Sequence, residues 1–299
     1  MKLLLTGASG LVGGNFARLA AAQGHEVIGT VGRFEGTIAG LSKQLRLDLT
    51  DEPAVIAALR TVAPEGIVNC AAISEPGQCD ANPPHSEAMN VALPRLLAQF
   101  ARESGARCLH LSSEQVFDGN RTTPYAPADT PRPINLYGRQ KLAGERAALA
   151  AAPEHSVVIR APLLLGNSPS RQRSLHERLL ADWAAGRTPR LYTDEFRQPC
   201  TADNLAEVLL ELLHRRDLRG VFHWAGTELV SRYELGLRLR THFQLSEIAA
   251  PLIAVTRADT PTVAAQRPPC LALDLSPLAG LLRTRPQPLA EQLPTLLSP

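Results

Sequence analysis

Lys2-Leu3-Leu4-Leu5-Thr6-Gly7-Ala8-Ser9-Gly10-Leu11-Val12-Gly13 opens the chain. A short apolar run meets glycines spaced G-x-x-G-x-x-G, and residues 15–23 beyond them have helical composition. Residues 25–30 read as a second strand, which completes one β-α-β unit. The alternation continues through strand 45–47, helix 52–61, strand 66–70, helix 87–104, strand 107–111, helix 136–151 and strand 156–160. Parallel neighbours need long crossovers to bring the chain back to the same edge, so this order predicts a parallel, doubly wound α/β sheet.

That sheet is of Rossmann type, and its ligands bind outside the carboxyl ends of the strands. After residue 165 the alternation weakens. Helices are expected at 175–185, 203–215 and 232–243, with a short strand at 221–224. The last fifty residues carry Pro251, Pro261, Pro268, Pro269, Pro286, Pro288 and Pro294, which favour ordered loops over long regular elements. The expected division is a dinucleotide-binding domain over 1–165, with segments around 200–225 returning to it. Residues 166–299 then form mainly a smaller substrate-binding lobe over the carboxyl edge.

Composition narrows the class. The 299 residues are 44% hydrophobic and 20% charged, close to the values of globular proteins, and only 4% aromatic, leaving Leu, Ala and Val as core material. No apolar run approaches the ~18 residues of a membrane span, and the opening run reaches Thr6-Gly7 too early for a signal peptide. A cytoplasmic protein without a membrane partner is expected. With 31 basic and 29 acidic residues the formal charge is +2, which offers no global field for nucleic acid. Cys70, Cys79, Cys108, Cys200 and Cys270 are odd in number and lack a C-x-x-C spacing, which fits reduced thiols and no metal cage. His176-Glu177 has Leu180 where a second zinc ligand would fall.

The glycine turn at Gly7, Ser9, Gly10, Leu11, Val12 and Gly13 lets backbone approach a pyrophosphate while a helix amino terminus supplies oriented N–H groups. A tight strand-to-helix turn without a ligand is the plainer alternative. At the end of the second strand, Gly29-Thr30-Val31-Gly32-Arg33-Phe34 places no acid before Glu35. An acid there accepts from the ribose 2′-hydroxyl of NAD, whereas arginine pairs with the 2′-phosphate of NADP. Arg33 therefore points to NADP(H), or else is a solvated loop arginine. Asp48, followed by Leu49, is placed to accept from the adenine amino group or to cap the next helix.

Tyr137-Gly138-Arg139-Gln140-Lys141 is a Y-x-x-x-K on an expected helix. Spacing of i to i+4 puts both side chains on one face, and a neighbouring ammonium favours phenolate over a phenol that titrates near ~10. Ser113, in Leu111-Ser112-Ser113-Glu114-Gln115-Val116-Phe117-Asp118-Gly119, follows a strand and is placed to hydrogen-bond the same substrate oxygen. A helix cap at Ser113 and a core tyrosine at 137 are the structural alternatives.

G-A-S-G-L-V-G, S-S-E-Q-V-F-D-G and Y-G-R-Q-K-L-A-G-E in this order resemble the extended short-chain dehydrogenase/reductases. Within them the chain is similar to the dTDP-4-dehydrorhamnose reductase family, which includes the regulatory beta subunit of methionine adenosyltransferase. The likeness extends through residues 220–226, 232–234 and 266–268, with Leu273-Asp274 after them.

The resemblance implies that Ser113, Tyr137 and Lys141 form a catalytic triad. Tyrosine protonates a carbonyl, lysine holds the nicotinamide ribose and serine orients the oxygen. It also places Cys70, Ala71, Ala72, Asn90, Arg160 and Pro162 at the cofactor. Glu114, Arg197 and Arg267 fall at the substrate, expected to be a sugar nucleotide. A homodimer is implied as well. Where the family has Asp-Tyr after the Ser/Thr, and dehydratases carry Asp-Glu, this chain has Glu114-Gln115. Gln115 is no second acid, which argues against dehydration. The leading expectation is an NADPH-dependent reductase of a 4-keto sugar nucleotide. A regulatory subunit without turnover and an epimerase are the alternatives.

Overall fold

Leu3, Leu4 and Leu5 are all buried because their strand, β1 (Lys2–Thr6), is covered on both faces. Successive strand side chains point to opposite faces. Leu3 and Leu5 accordingly join one apolar cluster and Leu4 another. The computed structural model describes residues 1–298, and the same division recurs along its sheet: Val27 against Ile28, Val68 against Ile67, Leu109 against Cys108. A strand buried on both sides needs a continuous apolar run, which is why β1 does not alternate with polar residues.

The chain continues through α1 (Leu11–Ala22), β2 (Glu26–Val31), β3 (Lys43–Arg46), α2 (Glu52–Val62) and β4 (Gly66–Asn69). Short helices α3 (Pro76–Ala81) and α4 (Pro83–Glu87) lead through a π turn at Ala88–Ala92 into α5 (Leu93–Ser104). Then come β5 (Arg107–Ser113), α6 (Leu136–Ala151), β6 (Ser156–Ala161), β7 (Leu164–Leu165) and α7 (Leu175–Ala184). After β8 (Arg190–Tyr192), β9 (Phe196–Arg197) and β10 (Cys200–Thr201) follow α8 (Ala202–His214) and β11 (Gly220–His223).

Seven strands form one parallel sheet in the order β11-β6-β5-β4-β1-β2-β3, the Rossmann-type arrangement that the sequence predicts. Helices α1 and α8 cover one face, and α2, α5 and α6 the other. Strand order reverses between β1 and β4, and a crevice opens there at the carboxyl edge. Beyond it, α7, β8 and α9 (Arg232–His242) surround a separate apolar cluster with Leu175, Leu179, Trp183, Leu191, Leu235 and Leu239.

Two expectations shift. The helix expected over 87–104 is interrupted at the π turn, where Asn90 reaches back to Ile73, its Oδ1 accepting from the backbone N–H and its Nδ2 donating to the carbonyl, both at 3.0 Å. An extra residue in a helical turn re-aims its side chain, and periodicity does not show it. The third strand runs Lys43–Arg46, not 45–47, because pairing with Ile28 to Val31 of β2 sets its register.

Arg107, 1% exposed, ties this frame together at the start of β5. Its Nε donates to the Leu212 carbonyl at 3.3 Å and its Nη2 to the Arg215 carbonyl at 2.9 Å and to that of Leu218. One cation thus adds a donor to three carbonyls at and just beyond the end of α8, two of which, Leu212 and Arg215, also accept a backbone N–H. Arg107→Met should remove these donors and cost roughly 1–3 kcal/mol, read as a lower urea midpoint at unchanged slope.

Candidate active site

The glycine turn is shaped by close approach. Gly7 takes φ +71°, and a Cβ there would stand 2.8 Å from the Ala71 backbone. A Cβ on Gly13 would stand 2.2 Å from the Gly7 carbonyl, so α1 seats directly against the turn only with glycine at that position. Gly10 is the N-cap of α1 and supplies no side-chain hydrogen bond. The first N–H groups of α1 therefore remain available at the crevice, which suits a pyrophosphate. Gly7, Ser9, Gly10, Leu11 and Val12 line the cleft, while Gly13 packs beneath it.

Arg33 lies just beyond β2 and is exposed at the cleft. Arg46 lines the same end, paired in register with Val31. Sequence reading missed Arg46 because only the β2–β3 register brings it beside Arg33. Asp48 does not cap α2; Asp51 does, accepting from Ala54 N at 3.0 Å. Asp48 Oδ1 instead takes the Thr50 N–H at 2.9 Å and hydroxyl at 2.7 Å, which hold its carboxyl below the usual range. Asp48, Leu49, Cys70, Ala71, Ala72 and Pro162 all line the cleft.

Ser113 ends β5, and Tyr137 and Lys141 lie one turn apart on α6, all three facing the same cleft. Helix α6 is fixed by its cap, Asn135, whose Oδ1 accepts from Gly138 N at 2.7 Å. The Asn135 Nδ2 donates to Gln115 Oε1 and to the Gln266 carbonyl, each at 2.9 Å. One amide thus joins the helix, the Ser113 loop and the carboxyl-terminal lobe. Burial pushes the Tyr137 phenol up to about 12, against a smaller downward pull from the Ser113 hydroxyl. The expected phenolate is therefore not favoured: Tyr137 keeps its proton at neutral pH. Lys141 Nζ donates to the Leu111 carbonyl at 2.7 Å, and burial brings its pKa down to about 8.

The opposite end of the cleft is a cluster of buried charge. Arg197 meets Glu114 Oε1 at 3.2 Å and Glu195 Oε1 at 3.1 Å. Arg267 grips Glu195 with two bonds of 2.6 and 2.7 Å, and Arg232 stands 3.9 Å away. Burial first, and Glu195 after the opposing Arg197, raise the Glu114 carboxyl to about 8. Its Oε2 is buried without a hydrogen-bond partner. Arg197 and Arg267 line the cleft as expected of substrate residues, yet each is already engaged by a carboxylate. Arg173, Arg178, Arg232 and Glu195 line it too and were not anticipated, since they converge from segments far apart in sequence. The cleft encloses about 1510 Å³, beyond the roughly 300–1,000 Å³ of a single-ligand pocket, so it has room for a dinucleotide and a second ligand together.

Two expected cofactor residues lie elsewhere. Arg160 does not line the cleft: it is buried on the α6 side of β6, with Nη2 at 2.8 Å from Glu145 Oε2 and Nε at 3.0 Å from Oε1. Alternation along the strand turns Arg160 inward, while Ala161 and Pro162 border the cleft. Asn90 is likewise buried, beneath the wall: it does not line the cleft itself but holds Ile73, which does. Among the described residues no cluster of metal-ligating side chains occurs, and no helix is long and apolar enough to cross a membrane.

Seven parallel strands, the glycine turn at the switch point and the Ser-Tyr-Lys set define a Rossmann-type protein of the extended short-chain dehydrogenase/reductase class. The family described as "RmlD substrate binding domain" matches residues 1–299, and the chain belongs to it. It is 30% identical over 289 residues to methionine adenosyltransferase 2 subunit beta of Rattus norvegicus, covering 94% of this chain and 82% of that protein. It is 32% identical over 241 residues to a probable low-salt glycan biosynthesis reductase of Haloferax volcanii, covering 80% and 79%. The fold is that of dTDP-4-dehydrorhamnose reductase from Bacillus anthracis, solved in complex with NADP: TM-score 0.83 at 20% identity, over 97% of this chain and 96% of that one.

The position of Arg160 makes a distinction that measurement can check. Arg160→Met should leave Glu145 buried without its cation and cost ~3–5 kcal/mol in urea unfolding. The affinity of the folded fraction for NADP(H), read by calorimetry, should stay within about twofold, whereas loss of a direct cofactor contact would lower it more.

Proposed function

We propose that this chain is an NADPH-dependent reductase of a 4-keto sugar nucleotide of the dTDP-4-dehydrorhamnose kind. The observation that carries the reading is convergence: one cleft holds the glycine turn at its floor, Arg33 and Arg46 at one end, and Ser113, Tyr137 and Lys141 at the centre. The likeness to a glycan biosynthesis reductase and to an NADP-bound reductase fold supports the same reading. Open N–H groups at α1 suit the pyrophosphate, and the two guanidinium groups suit a 2′-phosphate. Gly7, Ser9, Gly10, Leu11, Val12, Cys70, Ala71, Ala72 and Pro162 would line the bound cofactor, with Asp48 Oδ2 directed to the adenine.

Reduced nicotinamide supplies hydride to the carbonyl carbon. Tyr137 supplies the proton to the carbonyl oxygen, which requires the neutral phenol that its burial maintains. Ser113 fixes the same oxygen by a hydrogen bond. The phenolate left behind is a stronger base than the Lys141 amine, so the lysine ammonium restores the phenol. Arg173, Arg178 and Arg232, with the partly engaged Arg197 and Arg267, supply positive charge for a diphosphate. Dehydration is disfavoured because Gln115, which occupies the second acid's place, is tied to Asn135 and carries no acidic proton.

A second reading is a cofactor-binding regulatory subunit without turnover. Likeness to methionine adenosyltransferase 2 subunit beta over 94% of the chain favours it.

Arg33→Ala should weaken NADPH binding about ten- to a hundredfold and leave NADH nearly unchanged, since one charge-assisted bond is worth ~1.5 to 3 kcal/mol. Equal calorimetric affinities of the wild type for the two cofactors would contradict the assignment. Tyr137→Phe should lower kcat ~10²- to 10⁴-fold in steady-state NADPH oxidation with dTDP-4-dehydrorhamnose, while the NADPH Kd holds. Wild-type protein that binds NADPH and a protein partner, yet turns over no 4-keto sugar nucleotide, would establish the regulatory reading in its place.

A further inference from the structure

Beneath Lys141 the sheet carries a polar row that the reaction above leaves unused. Thr6 is the register partner of Asn69 across β1 and β4, and Asn69 that of His110 across β4 and β5. All three are buried, with His110 only 1% exposed. Their hydrogen bonds run in one direction. The Ala71 backbone N–H donates to Asn69 Oδ1 at 3.2 Å, and the Thr6 hydroxyl donates to the same oxygen at 2.7 Å. A backbone N–H has no acceptor role, so it fixes which end of the amide is oxygen.

The Asn69 amide nitrogen therefore faces His110 Nδ1, 3.0 Å away, and donates to it. Nδ1 must offer its lone pair. A neutral imidazole holds a single ring proton, which is left on Nε2. That atom stands 3.5 Å from Lys141 Nζ, whose other contact is the Leu111 carbonyl. We infer that His110, locked as the Nε2–H tautomer by Asn69, is a positioning residue that turns its N–H toward Lys141 and stabilises the lysine's neutral amine against its ammonium.

An ammonium has three N–H groups and no lone pair, so an imidazole N–H aimed at it meets proton with proton; the amine presents a lone pair instead. One other group facing Lys141 acts the opposite way. Glu145, one turn further along α6, favours the ammonium, while the nearby Cys70 and Cys79 thiols, pushed up by burial, stay protonated and add no charge near neutrality. Glu145 is itself bound to Arg160, and Tyr137, one turn before, is neutral. Burial works together with His110 and is the largest cause of the lysine's lowered pKa. The same burial, with Lys141 beside it, holds the imidazole well below the usual histidine range, so the ring stays uncharged near neutrality. Resting on the reductase reading, the consequence is that Lys141 both gives its proton to the Tyr137 phenolate and regains one near neutral pH.

The chain has lysine only at positions 2, 43 and 141, so ¹³Cε-lysine labelling gives three resonances, and Lys141→Met assigns the one of interest. Among eight histidines, ¹⁵N ring spectra identify His110 by its loss in His110→Phe. Wild-type His110 should show a protonated Nε2 and a bare Nδ1 from pH 6 to pH 9. Asn69→Asp accepts in every direction, so it should reverse the tautomer and raise the Lys141 midpoint by at least one pH unit. In a His110→Phe background the same substitution should move Lys141 less than half as far. A wild-type ring protonated on Nδ1, or charged, overturns the inference without any variant having to fold. An equal Lys141 shift in both backgrounds overturns it too, because the new carboxylate then acts directly. Neither readout needs turnover, so failure of the reductase reading would register separately.

Discussion

The row Thr6, Asn69 and His110 crosses the middle of the sheet just where strand order reverses. Each is a polar side chain in an otherwise apolar layer, a position costly unless every group finds a partner. The partners are one another, and this constrains the surroundings: β1, β4 and β5 must keep their register. The Asn69 oxygen also holds the Ala71 N–H, in the backbone against which Gly7 turns. The floor of the crevice and the underside of α6 are thus joined by one chain of hydrogen bonds.

Around that floor, charge is sorted by depth. Arg160 with Glu145, and Arg107 with carbonyls at and beyond the end of α8, are buried cations engaged by oxygen, and both join layers of the fold. Arg33 and Arg46, at the end of the cleft beside β2 and β3, are exposed. The opposite end of the cleft is intermediate: Glu195 draws Arg197, Arg232 and Arg267 inward, yet all three still line the cleft. There arginines outnumber carboxylates, and a buried Glu114 held near neutrality adds little negative charge.

How much of this was legible can be read from single residues. The three leucines of β1, the glycine spacing and the strand-helix alternation were legible because each rests on local sterics or a short period: a strand buried on both faces must be apolar throughout, and a helix seated on a turn admits no Cβ at Gly13. Tyr137 and Lys141 were legible as neighbours because i and i+4 share a helix face. Arg160 was misplaced because position along a strand identifies the neighbourhood, while pleat decides which side the guanidinium takes. Asn90, expected at the cofactor, ties the loop at Ile73 instead, because one π turn redirects it.

By itself, then, the sequence determined the sheet, the glycine turn at its edge and the shared helix face of Tyr137 and Lys141, all consequences of short-range geometry. Only the tertiary structure decided their electrical state. Tyr137 holds its proton because burial desolvates it, Lys141 loses hold of one for the same reason, and the His110 proton position follows from an amide on the adjacent strand β4. Arg46 joined Arg33, and Glu195 gathered three arginines, through pairings between segments up to 72 residues apart. Protonation and charge depend on burial and on partners brought from afar, and neither has a local period for a sequence to display.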